Sequence, residues 1–276
     1  MTTQQHDQTR AAWDVIAGGY DRFVTPTHMW LGDEALRRAG VGAGERFLDV
    51  ACGSGALSIP AARLGARVTA ADLSPAMIDR LVARARAEGL ANLEGRVMDG
   101  HALELDDDAF DVSGSQFGVM LFPDLPRGLR ELARVTRPGG RVVIVAYGPP
   151  AEVEFLGFFV AAMQAVVPGF TGIPAEPPPL PFQVADPARL RDELSAAGLT
   201  DVRVETITET LRFGAGRAMW DWVTNSNPIG AMLVADATAE QGERVRVALD
   251  EMLRERAGGA GPAVLTNPIN IGVGIA

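Results

Sequence analysis

Residues 47–57 read F-L-D-V-A-C-G-S-G-A-L, and they constrain the fold more than any other stretch. The run from 47 to 51 is apolar apart from Asp49 and is long enough for a buried strand. Gly53 and Gly55 break it, and residues 56–64 then follow a helical pattern. A strand that turns on glycine into a helix sets bare backbone N–H groups beside a concave edge. Nucleotide-like ligands bind at such edges. A dinucleotide fingerprint, G-x-G-x-x-G, requires a third glycine where this chain has Ser58.

The rest of the first half repeats the theme. Short apolar runs at 46–51, 67–71, 94–98, 110–113 and 141–146 read as strands, with helical segments between them. That alternation predicts a largely parallel sheet with helices on both faces. Ser74 and Pro75 supply a cap and a first-turn proline for a helix over 75–88, which Gly89 stops. A second helix over 125–135 ends at the turn signal Arg137-Pro138-Gly139-Gly140. Beyond Tyr147 the character changes. Residues 148–183 are rich in Pro and Phe, with a helix over 152–167. A capped helix over 187–197 precedes an alternating strand at 201–213. A helical insert spans 216–256, and a β-like run at 264–273 closes the chain. No internal repeat or low-complexity linker interrupts it. We therefore expect a single domain over 1–276 with lid elements at 1–40, 148–185 and 214–257.

Composition removes several function classes. One cysteine in 276 residues allows neither an internal disulfide nor a multi-thiolate zinc site. The chain has no lysine, which excludes a Schiff-base lysine and a phosphate-loop lysine. Asp106, Asp107 and Asp108 read as a solvated loop, so no metal is expected. A net charge of −10 leaves little basic surface for nucleic acid. The apolar stretch 155–167 is too short to span a bilayer and stops at Pro168. The first residues are polar and lack a signal core. These features lead us to expect a cytoplasmic protein without a membrane span, and they leave room for a homodimer.

Four motifs in order resemble a class I S-adenosylmethionine-dependent methyltransferase, especially the quinone-biosynthesis-like and natural-product members. The first is Leu48-Asp49-Val50-Ala51-Cys52-Gly53-Ser54-Gly55. The second is Val68 to Ser74, with Asp72 ending the second strand. The third is Met98-Asp99-Gly100-His101, ending the third strand. The fourth is Phe110-Asp111-Val112 leading to Ser115-Gln116-Phe117, followed by the Arg137 turn. The resemblance covers residues 13–147 well and the last two strands in outline. It implies a Rossmann-like, seven-stranded, mostly parallel sheet with an antiparallel C-terminal strand. It implies S-adenosylmethionine as cofactor, bound by Tyr20, Asp49, Ala51, Gly53, Ser54, Gly55, Asp72, Leu73, Met77, Asp99, Gly100, His101, Ser115 and Gln116. In this reading Asp72 accepts from the ribose hydroxyls and Asp99 from the adenine amino group. Tyr20 closes over the methionine part, and Asp49 sits near the amino-acid end.

The acceptor is less legible. Many methyltransferases need no strong base, and the base candidates here are His28 and His101; His6 sits in a polar tail and is given no role. Phe47, Phe110, Phe117, Phe122 and Tyr147 belong to the sheet-and-helix body. The remaining aromatics fall in the N-terminal segment, in 148–183 or in 213–222, where the family carries substrate lids. An apolar lid suits a hydrophobic small molecule. Phe117, Phe155, Phe159, Phe182 and Trp220 are the expected lining residues. We expect O- or C-methylation of such an acceptor. The alternatives are a fold that uses the cofactor as a scaffold for cyclisation or decarboxylation, and a non-catalytic cofactor-binding regulator. An NAD-dependent dehydrogenase fits less well, given Ser58 and the sequence of Asp72 then Asp99.

Overall fold

A computed structural model describes residues 3–172 and 179–276 of the chain. Residues 173–178, part of the expected second lid, lie outside the described set. Seven strands form one sheet in the order β3-β2-β1-β4-β5-β7-β6. They are β1 (Arg46–Val50), β2 (Arg67–Asp72), β3 (Leu93–Val97), β4 (Phe110–Gln116), β5 (Thr136–Tyr147), β6 (Thr200–Phe213) and β7 (Ala263–Ile275). The pairings from β3 through β5 are parallel, and β7 runs antiparallel to both β5 and β6. The Rossmann-like expectation is met, including the single antiparallel C-terminal strand.

The interior strands are apolar on both faces, as a parallel sheet covered on both sides requires. Phe47, Leu48, Val50, Val142, Val143, Ile144 and Val145 are all fully enclosed. Helix α2 (Thr25–Ala39) packs on α3 (Ser58–Arg63), and α4 (Pro75–Ala87) packs on β2 and β3. Helices α5 (Leu125–Val135) and α7 (Pro187–Ala196) pack together over the C-terminal half of the sheet. The caps expected at Ser74 and Asp186 are formed, and Asp124 supplies a further one that the sequence reading did not name. Ser74 Oγ accepts from Met77 N, and Asp124 and Asp186 cap α5 and α7.

Several boundaries differ from the sequence reading, and two of the differences have a local cause. Helix α3 begins at Ser58 rather than 56, because Ala56 and Leu57 complete the glycine turn. The Arg137–Gly140 turn does not separate α5 from β5. Thr136 already pairs with Phe110, and the register then jumps to Val112 opposite Arg141. The turn residues are thus looped out as a bulge within β5, with Gly139 at φ +73°.

The N-terminal segment is helical throughout: α1 (Thr3–Gly19), a wider π-type turn (Tyr20–Val24), then α2. The later insertions give α6 (Glu154–Val166), α8 (Gly216–Ser226), α9 (Pro228–Met232) and α10 (Ala239–Arg256). Helix α10 packs on α6 and α8, and α8 packs on the π-type turn. The N-terminal segment and the last insert therefore meet, and Trp222 Nε1 donates to Thr27 Oγ1 at 3.1 Å between them. One hydrophobic core runs without a break from Val24 and Phe47 through Val145 to Trp222 and Leu265. No described helix is long and apolar enough to cross a membrane.

Candidate active site

Strand order reverses between β1 and β4, and a crevice opens beyond the carboxyl ends of these two strands. Such a switch point is where open α/β sheets bind ligands. Both strand ends carry backbone strain there. Ala51 sits at φ +56° just past β1, and Phe117 at φ +58° just past β4. A bulky residue in the left-handed region is uncommon and persists only where its surroundings hold it. Gly53, at φ +53°, continues the turn, and a Cβ there would lie 3.1 Å from the Tyr20 ring. Glycine lets Tyr20 close directly on the backbone.

The walls of the crevice come from four places. Ala51 and Gly53 form one side, Asp72, Leu73 and Met77 a second, Met98 to His101 a third, and Gln116 to Pro123 a fourth. Helix α1 roofs it with Thr9 and Trp13. The enclosed space is about 90 Å³. Small-molecule sites commonly measure about 300–1,000 Å³, so this enclosed space is small beside them. A larger cleft of about 590 Å³ lies between α6 and α9. Among the described residues, Asp236 is the only charged side chain lining it.

The crevice is strongly acidic. Asp72 Oδ2 accepts from Gly53 N at 2.8 Å and Oδ1 from Ser74 N at 2.9 Å. Burial lifts its pKa to about 6, opposed by the backbone N–H groups of Ser74, Gly53 and Leu73, and the charge of Asp14 adds to the rise. Behind the turn, Asp49 is only 1% exposed and accepts from Ser58 Oγ. Burial lifts it to about 7, opposed by Ser58 and reinforced by Asp72. Burial is also the main reason the Tyr20 hydroxyl resists ionisation, with Asp72 and Asp49 adding to it. Asp99 differs. Burial would raise it, but the backbone and ring nitrogens of His101 and the charge of His6 outweigh that and hold it below its usual value. His101 Nδ1 lies 2.8 Å from Asp99 Oδ1, and its ring stacks on Phe122 at 4.4 Å.

The expected cofactor residues divide into two groups. Tyr20, Ala51, Gly53, Asp72, Leu73, Met77, Asp99, Gly100, His101 and Gln116 line the crevice, as does Phe117 from the acceptor set. Asp49, Ser54, Gly55 and Ser115 stand behind it and hold its shape. Ser54 bonds Thr25, Ser115 Oγ caps Val119 N, and a Cβ on Gly55 would strike Leu81 at 2.5 Å. Phe155, Phe159, Phe182 and Trp220 do not reach the crevice wall. Phe155 contacts Tyr147 and Trp222, and Phe159 contacts Trp220, whose other face lies under Arg246.

Sequence reasoning passed over Thr9, Trp13, Met98, Leu121 and Phe122. The first two belong to a helix whose polar sequence gave no amphipathic signal. His6, read as part of an idle tail, in fact stands on α1 with Nε2 3.5 Å from Asp99 Oδ2.

The residues present suit a nucleoside with a cationic end. Two carboxylates at the rim have spare acceptor capacity, a flat His101–Phe122 stack offers a ring-sized platform, and the glycine turn exposes backbone. Clustered acids of raised pKa are stabilised when positive charge arrives beside them.

The comparisons agree with this chemistry. Residues 48–144 match a methyltransferase domain family. An uncharacterised protein of Mycobacterium tuberculosis is 33% identical over 231 residues, covering 82% of this chain and 80% of that protein. A demethylmenaquinone methyltransferase of Clavibacter sepedonicus is 38% identical over 168 residues, covering 58% of this chain and 66% of that one. The solved structure of Haemonchus contortus phosphoethanolamine N-methyltransferase 2, in complex with phosphomonomethylethanolamine and S-adenosylhomocysteine, shares the fold. Its TM-score is 0.54 at 18% identity, covering 89% of this chain and 52% of that one. The chain belongs to the class I S-adenosylmethionine-dependent methyltransferases, and S-adenosylmethionine is its cofactor.

Proposed function

We propose that the protein methylates oxygen or carbon of a hydrophobic small molecule, in quinone or secondary metabolism, in the cytoplasm. The observation that carries this reading is the pairing of an acidic nucleoside crevice with an aromatic interior directly behind it. Phe117 belongs to both: it lines the crevice and stacks on Tyr147 at 4.5 Å. The similarity to demethylmenaquinone methyltransferase supports a quinol-like acceptor.

In this reading Asp72 accepts from the ribose hydroxyls. Asp99 accepts from the adenine amino group, with Gly100, His101 and Phe122 beside the ring. Ala51, Gly53 and Gln116 flank the amino-acid end, and Tyr20 covers it. When bound, the cofactor supplies a methyl group on a positively charged sulfur. The protein's part is to align the acceptor with that methyl and to exclude water. Trp13 and Tyr20, packed edge to face at 6.1 Å, serve the second purpose from the roof. This reading takes the chain as a single domain over 1–276, with both halves of the site within it.

The test is mass spectrometry of a panel of phenols, quinols and β-dicarbonyl compounds incubated with protein and isotopically methyl-labelled cofactor. Gain of one labelled methyl on oxygen or carbon is the expected result. Rearranged product of unchanged mass would replace this reading with the scaffold one.

A further inference from the structure

A second set of polar groups lies one aromatic layer behind the crevice. His28 of α2 is 2% exposed and Glu209 of β6 is fully enclosed. His28 Nε2 stands 3.2 Å from Glu209 Oε1, yet the two are not aligned for a hydrogen bond. Both ring nitrogens and this carboxylate oxygen are buried without a hydrogen-bond partner. The other carboxylate oxygen is fixed, accepting from Asn267 Nδ2 of β7 at 3.0 Å. Buried polar atoms without partners are costly, and native interiors rarely gather several at one point without a use for them.

The surroundings are aromatic and closely packed. The His28 ring lies 5.0 Å from Phe117 and 5.6 Å from Trp222, and Phe155 and Tyr147 complete the group. Glu209 and, one ring removed, Tyr147 are the ionisable side chains facing His28. Two connections lead from here to the crevice. Gln116, a crevice residue, donates through Nε2 to the His28 carbonyl oxygen at 3.0 Å, while its own Oε1 is unpartnered. Phe117, the strained residue at the end of β4, is the ring that stands between His28 and the crevice.

We propose that His28 Nδ1, backed by Glu209, takes the proton from a phenolic or quinol hydroxyl that reaches the pair from the crevice when the Phe117 ring turns aside. The inference rests on the methyl-transfer reading above and names its acceptor chemistry. In the step, the acceptor O–H bond breaks and its proton passes to His28 Nδ1. An electron pair of the activated acceptor, on oxygen or on a ring carbon conjugated to it, forms the new bond to the methyl carbon. The methyl–sulfur bond breaks and its electrons stay on sulfur, which becomes a neutral thioether. For a ring carbon, that carbon then loses its own proton to water and the ring oxygen takes one up, restoring the hydroxyl. The imidazolium formed beside Glu209 is held by the opposite charge and returns its proton to water on product release. His28 and Glu209 thus play the base and its orienting acid in the usual division of labour.

The test uses 4-nitrophenol, whose ionised form has its own absorbance band, and full-length protein saturated with S-adenosylhomocysteine. The titration is run about one unit below the probe's own pKa. Bound to wild-type protein, the probe shows an ionised-to-neutral ratio raised about tenfold or more over free probe, the change that one pKa unit represents. Glu209→Gln and His28→Gln bind S-adenosylhomocysteine normally by calorimetry but bind the probe in its neutral form. ¹⁵N-histidine NMR of the wild type supplies a readout that needs no variant: the His28 ring signals move to the protonated pattern when the probe binds. The proposal falls if the probe fails to bind, if bound probe stays neutral, or if either variant keeps the ionised band. Absence of S-adenosylhomocysteine binding to the wild type would instead overturn the underlying methyl-transfer reading.

Discussion

Asp72→Asn separates the carboxylate's two duties, supporting the turn and holding ligand. The native carboxylate ionises at about 6 rather than 3.8, chiefly because it is buried. That gap of roughly two pK units means that keeping the charge at neutral or higher pH costs the folded apoprotein about 3 kcal/mol. Asparagine removes this cost. It also presents one NH₂ where the carboxylate accepted from both Gly53 N and Ser74 N, so one backbone donor loses its acceptor. That loss costs about 1–3 kcal/mol. The two effects nearly cancel, so unfolding free energy at pH about 8 should change by less than about 2 kcal/mol. Binding does not cancel. A charge-assisted bond to a ribose hydroxyl is worth about 1.5–3 kcal/mol, so affinity for S-adenosylmethionine should fall about ten- to a hundredfold. Isothermal calorimetry and urea unfolding at one pH measure both quantities on one preparation. If affinity stays within about twofold of wild type, or falls only as far as stability falls, Asp72 is a turn-supporting acid and the ribose assignment is wrong.

Three further outcomes follow from the same geometry. Asp49 and Asp72 both bind protons more tightly in the folded chain than in the unfolded one. Stability should therefore fall as pH rises from about 4 to about 7 and level off above that; urea midpoints that rise across the window would contradict it. Asp111, held low first by Arg46 and also by Arg137, acts below this range and does not mask the effect. Gly53→Ala places a Cβ at φ +53° against Tyr20, and should cost about 1–2 kcal/mol of stability by thermal unfolding and weaken cofactor binding. Asp14→Ala removes the bonds from Ser74 Oγ at 2.5 Å and Ala76 N at 3.3 Å that tie α1 to α4. Hydrogen exchange along α1 should rise about tenfold or more, with α5 unchanged as the internal control.

The cofactor half of the site was legible in the sequence because its determinants are local. Each key acid or glycine sits at the end of a strand, and strand ends of a parallel sheet converge on one edge whatever the lids do. The finer split between Asp72, which faces the crevice, and Asp49, which stands behind it, depends on a side-chain direction that strand position alone does not give. The acceptor half depends on contacts between segments far apart in sequence. Aromatic composition led to Phe159 and Trp220, which pack on each other away from the crevice. Glu209 was passed over although a signal existed. It shares its strand face with Ile207, Leu211 and Phe213, and an acid in such a row has to find a buried partner. That partner, His28, is contributed by a helix 181 positions earlier, and no local pattern links the two.

The placement of β7 has a consequence for the order in which the molecule can be made. Among the described residues β6 pairs with no strand but β7, and β7 is what joins it to β5. During synthesis the stretch from β1 to β5 leaves the ribosome first and can assemble its crevice while β6 still lacks a place. Asn267 of β7 donates to the Glu209 carboxylate at 3.0 Å, so Glu209 has that partner only once β7 lies between β5 and β6. A nascent chain can thus acquire the means to hold the methyl donor before the packing behind Phe117 is complete. Occupancy of the crevice by the cofactor would then favour the early-formed part while the final strand is still being translated.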